Sequence, residues 1–319
     1  METDDIDLAR AFDRHVVPEL TRLEQHRLEA VAESAKRKWP AIFGTAFGAA
    51  IGGAIGSFFD SGFVGFIFLG FIFGLGLAVW AGSPLGTFEG HQRQAVMDAI
   101  CTHVGEISYS RSVTDSGFDV SAFEKAHVVP DHSSATFEDL LRGTHRGCSF
   151  DLVEATLRKR GSSNKTRTVF EGLLVRISLP RALTSGPVII AADRGQWLGF
   201  FNTVSGWMTP GSRVAIPHDA FEERYEVYAE NAREALELIN PRFVENFLKL
   251  PDVLGTKKIL AAFHGSAFLI SAEGTDAFLD DFSADVTMAE LRTLFARTHH
   301  ETRLIHRIVD QLLEGDRYA

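Results

Sequence analysis

The feature that most constrains this chain is an apolar stretch at residues 41–80, in which Asp60 is the one ionisable residue. Residues 41–59, a run of 19, would span about 28 Å as an α-helix, close to the thickness of a bilayer's hydrocarbon core. Residues 62–81 form a second run of similar reach. Asp60 lies between them beside Ser61 and Gly62, where a polar turn belongs, although an intramembrane acid for ion movement is an alternative. The stretch therefore predicts a two-span transmembrane hairpin.

The charges beside this stretch predict its orientation. Lys36, Arg37 and Lys38 precede the first run, whereas the turn carries no lysine or arginine. The positive-inside bias places that cluster in the cytoplasm, and two spans return the chain to the same side. We therefore expect an inner (plasma) membrane protein whose two termini are cytoplasmic. The first forty residues are rich in charge, unlike a secretory signal.

The flanking segments predict a helical stalk on either side of the hairpin. Residues 1–40 read as an N-terminal amphipathic helix with an interruption at Pro18. Residues 82–104 read as a second stalk helix after a break at Gly82-Ser83-Pro84, and the two helices should pair antiparallel. The remaining residues, 105–319, read as a cytoplasmic domain.

This domain alternates short strand-like runs with helices. We expect strands at 107–113, 118–123, 148–157, 167–179, 188–192, 197–201, 225–229, 257–263 and 267–271. We expect helices at 136–142, after the capping residue Asn231 with an interruption at Pro241, and at 288–313. The fold class is therefore predicted as α+β: the transmembrane hairpin, its cytoplasmic stalk, and a strand-rich soluble domain closed by a long C-terminal helix. A barrel, a sandwich and an open sheet all remain compatible with these strands.

The composition of the chain limits which classes of partner we expect. The formal net charge of −10 and the pI near 5.6 argue against nucleic acid, whose binders are usually basic. Cys101 and Cys148 are the two cysteines, too few for a disulfide framework, so we expect free thiols. Lipid and an unidentified protein are the expected partners.

Three sequence blocks resemble a known family. They are Val169-Phe170-Glu171-Gly172-Leu173-Leu174, residues 221–228 (FEERYEVY) and residues 238–243 (LINPRF). In this order they resemble a bacterial family known as domain of unknown function 3137, and the likeness extends over about residues 5–315. The resemblance implies a charged start, a pair of apolar spans and a soluble α+β part. It implies no activity, because the family has no established catalytic residues.

A glycine repeat is the strongest motif of the apolar stretch. Spacing of four residues places its members on one helix face, where another backbone can approach closely. The predicted packing glycines are Gly44, Gly48, Gly52 and Gly56 in the first run and Gly70 and Gly74 in the second. The faces can pack within one chain, between chains as a homo-oligomer, or around a pore.

Basic residues form two candidate contacts for anionic lipid headgroups. One is the cluster Lys36, Arg37 and Lys38 before the first run. The other surrounds the tip of a predicted hairpin and comprises Arg158, Lys159, Arg160, Lys165 and Arg167. The alternative for the second set is a solvated polar loop, and nucleic-acid binding is less favoured because no aromatic residues are interleaved.

Several histidines and acids could carry chemistry, but they form no recognisable site. Those on the predicted last helix are His299, His300, Glu301, His306 and Asp310. His299 and His306 are seven residues apart rather than the four typical of paired zinc ligands. Those in turn-like contexts are His132 with Asp131, His145, and His218 with Asp219. We predict no metal, no cofactor and no catalytic triad.

These features favour a membrane-anchored, cytoplasm-facing binding or scaffolding protein without enzymatic activity. The first alternative is an oligomeric channel or transport accessory assembled through the glycine repeat. The second is a membrane-tethered hydrolase, which requires a cleft in which histidine and acidic side chains converge.

Overall fold

The computed structural model describes most of the chain. The described residues are 9–10, 12–58, 63–113, 117–161, 165–192, 211–274, 289–293, 295–297, 299, 303, 306, 309 and 310. Contacts divide the chain into two compact units. Unit 1 comprises Met1–Ala99 and Asp281–Phe295, and unit 2 comprises Ile100–Asp280 and Ala296–Ala319. The predicted turn at Asp60 and the predicted strand at 197–201 lie outside the described residues.

Two long helices dominate unit 1. A π-helical turn at Phe12–Val16 leads into α1 (Val17–Phe58), and α2 runs over Phe63–Val104. Each α-helix has 42 residues, or about 63 Å of length. Pro18 closely follows the π-helical turn, and the chain stays helical through the predicted interruption. Four separate predicted helices are therefore joined into two.

The predicted break at Gly82-Ser83-Pro84 is wrong, because α2 continues through it. Proline lacks the N–H that would bond the carbonyl four residues earlier, which here is Trp80. That carbonyl instead accepts a hydrogen bond from Ser83 Oγ at 2.9 Å and one from Arg37 Nη1 at 3.3 Å. A side chain from α1 thus replaces the missing backbone donor and keeps α2 continuous.

The predicted transmembrane hairpin at 41–59 and 62–81 is also wrong. Within the described residues, no helix combines the length and apolarity that crossing a bilayer requires. In the first run, glycine and alanine recur and offer little apolar area per residue. Residues 41–58 and 63–81 also belong to the longer helices α1 and α2, which continue into charged sequence.

In its described residues, unit 2 contains one antiparallel sheet of nine strands, in the order β1-β2-β3-β4-β9-β8-β5-β7-β6. The strands are β1 (Ile107–Ser112), β2 (Ser134–His145), β3 (Cys148–Arg160), β4 (Thr166–Ser178), β5 (Val188–Ala192), β6 (Ser212–Val214), β7 (Tyr225–Ala229), β8 (Ile259–His264) and β9 (Ala267–Glu273). The hairpin β8–β9 lies between β4 and β5, so strands distant in sequence pair at the centre. The α+β part of the prediction agrees with this arrangement.

Both faces of the sheet are covered, so β5, β8 and β9 are almost wholly buried. One face packs against the segment that contains α3 (Ser121–Lys125), through Phe123 and Val128. Ser271 Oγ in β9 donates to the Val128 carbonyl at 2.5 Å and fixes that segment to the sheet. On the other face, Phe243 packs against Phe263 and Phe268 with ring centroids 5.4 and 5.5 Å away.

Short helices follow the strands of unit 2. They are α4 (Asp219–Glu222), α5 (Ala232–Leu238), α6 (Pro241–Phe247) and α7 (Leu250–Leu254). Asn231 caps α5 and Asn240 caps α6, so both the predicted cap and the interruption at Pro241 are confirmed. The described residues between 289 and 310 are helical. Cys101 and Cys148 are not joined in a disulfide, and both are buried.

Two local predictions in this unit are wrong. Residues 136–142, expected to be helical, belong to β2, where a bulge between Glu138 and Leu141 interrupts the register with β3. Residues 118–123, expected to be a strand, form a turn and the start of α3. There the Asp119 carboxylate accepts a hydrogen bond from the Ser121 N–H at 2.9 Å, which bends the chain into the helix.

Candidate functional site

The outward face of α1 carries a row of exposed apolar side chains. Trp39, Ile42, Phe43 and Phe47 are 64, 56, 65 and 68% exposed. Their spacing of three, one and four residues places them on one helix face. The Trp39 and Phe43 rings stack with centroids 5.8 Å apart. We refer to these four residues as the apolar face of α1.

The opposite side of α1 is occupied by contacts with α2. Ala41 is buried, and a Cβ added to Gly44 would lie 2.8 Å from Leu77 Cδ1. Arg37 reaches Trp80 and Gly44 reaches Leu77, so the two helices run antiparallel here. The apolar face is therefore additional to the surface that holds the helices together.

For the other glycines of the repeat, the structure describes which helix contains each residue but not its surroundings. Gly48, Gly52 and Gly56 lie in α1, and Gly70 and Gly74 lie in α2. Their surroundings fall outside the described residues. Packing between chains or around a pore stays a prediction for them.

Of the three cations before the apolar face, Arg37 is the one engaged within unit 1. Its Nη2 contacts Glu33 Oε1 at 2.5 Å, its Nη1 donates to Ser83 Oγ at 3.2 Å, and its guanidinium lies 4.8 Å from the Trp80 ring centroid. Lys36 and Lys38 are exposed. Two charges beside Trp39 therefore remain open to solvent.

The basic hairpin is formed by the ends of β3 and β4. Lys159 pairs with Arg167 across the strands and forms an ion pair with Asp131 at 2.7 Å. The other cations, Arg158, Arg160, Lys165 and Arg167, are exposed. Four like charges at one end of a hairpin create a positive local potential.

The most organised polar cluster joins the β2–β3 turn to the C-terminal helical residues of unit 2. His145 Nε2 lies 2.8 Å from an Asp310 carboxylate oxygen, and Arg146 Nη1 donates to the same oxygen at 3.0 Å. The rings of His145 and His306 stack with centroids 4.2 Å apart and planes inclined by 8°. Phe150 meets His306 edge-on. We refer to His145, Arg146, His306 and Asp310 as the histidine cluster.

Electrostatics keep one histidine of this cluster neutral. Burial lowers the pKa of His306, and the adjacent His145 ring lowers it further. Burial raises the pKa of Asp310, but hydrogen bonds from Arg146 and His145 oppose that effect, and the net pKa lies below the ordinary value. Within the described part of the chain, His306 Nε2 is buried without a hydrogen-bond partner.

Arg146 affects what this geometry can do chemically. A carboxylate that orients a histidine can support acid–base chemistry. Here, however, Arg146 shares the Asp310 oxygen and neutralises part of its charge, which weakens its influence on His145. Among the described residues, no group of histidine, cysteine or acidic side chains is arranged to hold a metal ion.

The structure separates the other predicted histidines from this cluster. His132 lies 3.5 Å from Glu124, and His218 precedes α4. His299 contacts His103 of α2, with ring centroids 5.2 Å apart, a pairing that the sequence analysis missed. No local pattern links positions almost two hundred residues apart. His300 and Glu301 lie outside the described residues.

Comparison with known proteins adds one identification. The model of a family described as "Protein of unknown function (DUF3137)" matches residues 168–313. This segment is similar to that family. The predicted resemblance is thereby confirmed over these residues, which include most of β4 and the strands β5–β9. The DUF3137 segment contains His306 and Asp310, whereas His145 and Arg146 precede it. No curated protein and no solved structure matches the chain.

Proposed function

We propose that this chain is a non-enzymatic binding or scaffolding protein that attaches to the surface of an anionic membrane through the apolar face of α1. The observation that supports this proposal most directly is the exposure of Trp39, Ile42, Phe43 and Phe47 on one helix face. Contiguous apolar patches on a protein surface mark binding sites for proteins or membranes. Tryptophan is the residue that most often lies at a membrane–water interface.

The neighbouring charges favour a lipid surface as the partner. Lys36 and Lys38 are exposed directly before Trp39. An apolar helix face with flanking cations is typical of helices that lie in the headgroup region. The basic hairpin of unit 2 supplies further cations for the same kind of partner. The cytoplasmic leaflet is the one that carries anionic lipids, so we place the protein there.

The expected strength follows from area and charge. An aromatic side chain offers roughly 200 Å², and about two thirds of Trp39 and Phe43 is exposed (64 and 65%). Burying that surface contributes up to about 3 kcal/mol for each ring at about 25 cal/mol per Å². Each lysine near an anionic surface adds about 1 kcal/mol.

Vesicle cosedimentation tests the proposal with three variants of the full chain. Replacing Trp39 and Phe43 together by serine should abolish binding to vesicles with or without phosphatidylserine. Replacing Lys36 and Lys38 by glutamine should weaken binding about thirtyfold, and only where phosphatidylserine is present. Leu236→Ser is the matched control, because Leu236 is an exposed apolar residue of unit 2, and it should bind like the unaltered chain.

Two results would contradict the proposal. One is a chain that fails to sediment with either vesicle type. The other is a chain whose hydrodynamic mass doubles without lipid and returns to the monomer value in the Trp39/Phe43 variant. The second result would assign the apolar face to a second copy of the chain.

A further inference from the structure

Two histidine pairs join the C-terminal helical residues of unit 2 to the rest of that unit. His299 faces His103 at the end of α2, and His306 faces His145 at the end of β2, with ring centroids 5.2 and 4.2 Å apart. A separation of seven residues is close to two helical turns, so His299 and His306 lie on one helix face. Every ring in these contacts belongs to the residue type whose ordinary pKa allows a charge change between about pH 5 and 8.

We propose that this double histidine contact is an acid-sensitive latch, which holds the described helical residues His299, His306 and Asp310 against the rest of unit 2 at neutral pH and releases them in mild acid. The reason is geometric. Stacked imidazole rings 4.2 Å apart attract each other through ring contact when they are neutral. When both carry a proton, two like charges lie at that distance and repel.

The charges around His306 determine which proton opens the latch. Asp310 accepts hydrogen bonds from His145 and Arg146. Its single carboxylate can therefore compensate the first proton that the ring pair takes up. Glu106, on the segment between α2 and β1, favours protonation of His306, whereas Arg303 on the helix itself opposes it.

A second proton has no compensating partner inside the contact. Among the described residues, no group accepts a hydrogen bond from His306 Nε2, which is buried. The edge of Phe150 occupies the adjacent space with a ring-centroid distance of 5.7 Å. A charged His306 must therefore leave this environment to reach water, and the helical residues that carry it must move with it.

The direction of the pH effect follows from the depressed pKa of His306. The released state binds a proton at His306 below the ordinary histidine value of about 6.5, whereas the latched state does not until the pH falls further. The latch is therefore strongest above that value and weakens as the pH falls below it. Each proton taken up on release changes the latched-to-released ratio by about tenfold per pH unit.

Hydrogen-exchange mass spectrometry on the full chain tests the latch, with rates corrected for the intrinsic effect of pH. Between about pH 7.5 and pH 5.5, protection of peptides within 296–310 should fall, by up to about tenfold for the one proton taken up at His306. Peptides of β8 and β9 should keep their protection. His306→Phe retains a ring between His145 and Phe150 but cannot take up a proton at position 306, so the pH dependence of its protection should be clearly smaller than in the unaltered chain.

Two further variants make the test independent of His306. His103→Phe replaces one imidazole of the other pair by a ring that cannot carry charge, and it should reduce the pH dependence if His306→Phe does not fold. His26→Phe is the control, because His26 is an exposed residue of α1, and it should behave like the unaltered chain. A pH response that persists with His103 and His306 both replaced by phenylalanine would overturn the proposal. Parallel loss of protection in β8 and β9 would also overturn it, since that pattern indicates general acid unfolding.

Discussion

The substitution of Pro84 gives the sharpest test of why α2 is continuous. Pro84 has no N–H to donate to the Trp80 carbonyl. In the structure, that carbonyl accepts hydrogen bonds from the side chains of Ser83 and Arg37. Replacing Pro84 by alanine restores an N–H at position 84, which can form the ordinary helical bond to Trp80. The contribution of Arg37 to local stability should therefore depend on which residue occupies position 84.

The magnitude can be worked out from the contacts of Arg37. A net hydrogen bond from a charged donor contributes roughly 1.5–3 kcal/mol, but the 3.3 Å bond to Trp80 is long and a quarter of the Arg37 side chain is exposed (24%). We therefore expect about 1 kcal/mol from that bond. The ring contact with Trp80 and the Glu33 pair add about 1 kcal/mol together. Arg37→Met should cost about 2 kcal/mol beside Pro84 and about 1 kcal/mol beside alanine.

Native-state hydrogen exchange measures this coupling directly. The free energy of local opening is read from α2 peptides around residues 77–90 in the unaltered chain, in both single variants and in the double variant. Lys38→Met is the control, because this exposed cation forms none of the contacts of Arg37 in the described residues. An Arg37→Met cost that is equal within about 0.5 kcal/mol in both backgrounds would refute the explanation.

Two further predictions concern unit 2. A Cβ on Gly172 would lie 2.0 Å from the Ala272 carbonyl oxygen. Gly172→Ala should therefore separate β4 from β9 and cost about 2–4 kcal/mol in urea unfolding. Gly147→Ala, with a φ of +85° but open space around its Cβ, should cost only about 1–2 kcal/mol, and a reversed order would contradict the steric argument. Burial raises the pKa of Tyr225 from 10.0 to about 12. The contribution of the neutral Tyr225 phenol to the free energy of unfolding should be fully present below pH 10 and should fall by about 3 kcal/mol as the pH rises to 12. Urea unfolding of Tyr225→Phe should not show this loss.

The sequence was sufficient to predict those elements whose stabilising interactions are local. The buried run Val188–Ala192 predicts β5, Asn231 predicts the cap of α5, and Pro241 predicts the boundary between α5 and α6. Gly265 likewise predicts the turn that joins β8 to β9. In these cases the interactions that fix the structure lie within a few residues of one another.

The predicted helix at 136–142 shows how a β-bulge can imitate a helix. Phe137 and Leu140 are three residues apart, which is a helical spacing. In the structure both belong to the same core cluster, because the bulge shifts the register of β2 between them. Asp139 within the bulge has a positive φ of 52°, and its buried carboxylate accepts a hydrogen bond from Tyr109. The partner that stabilises the bulge lies on another strand, so the local pattern could not reveal it.

The continuity of α2 through Pro84 and the assembly of the histidine cluster could not be predicted, and the reason is the same for both. Arg37 is distant in sequence from the carbonyl it satisfies, and His145 is distant from Asp310. Sequence reasoning identified the side chains His145, His306 and Asp310 as chemically capable. It could not place them together, because their proximity depends on the strand order and on how the C-terminal helical residues pack.

The central position of the β8–β9 hairpin has a consequence for how the protein folds. Until residues 259–273 join the sheet, β4 and β5 each present an open edge, since both pair directly with that hairpin. During synthesis the N-terminal strands therefore wait for a late segment, with unpaired backbone groups able to recruit a neighbouring chain. Such non-local closure is slow and prone to aggregation. Yield in cells should thus depend on chaperone supply more strongly than equilibrium stability would suggest.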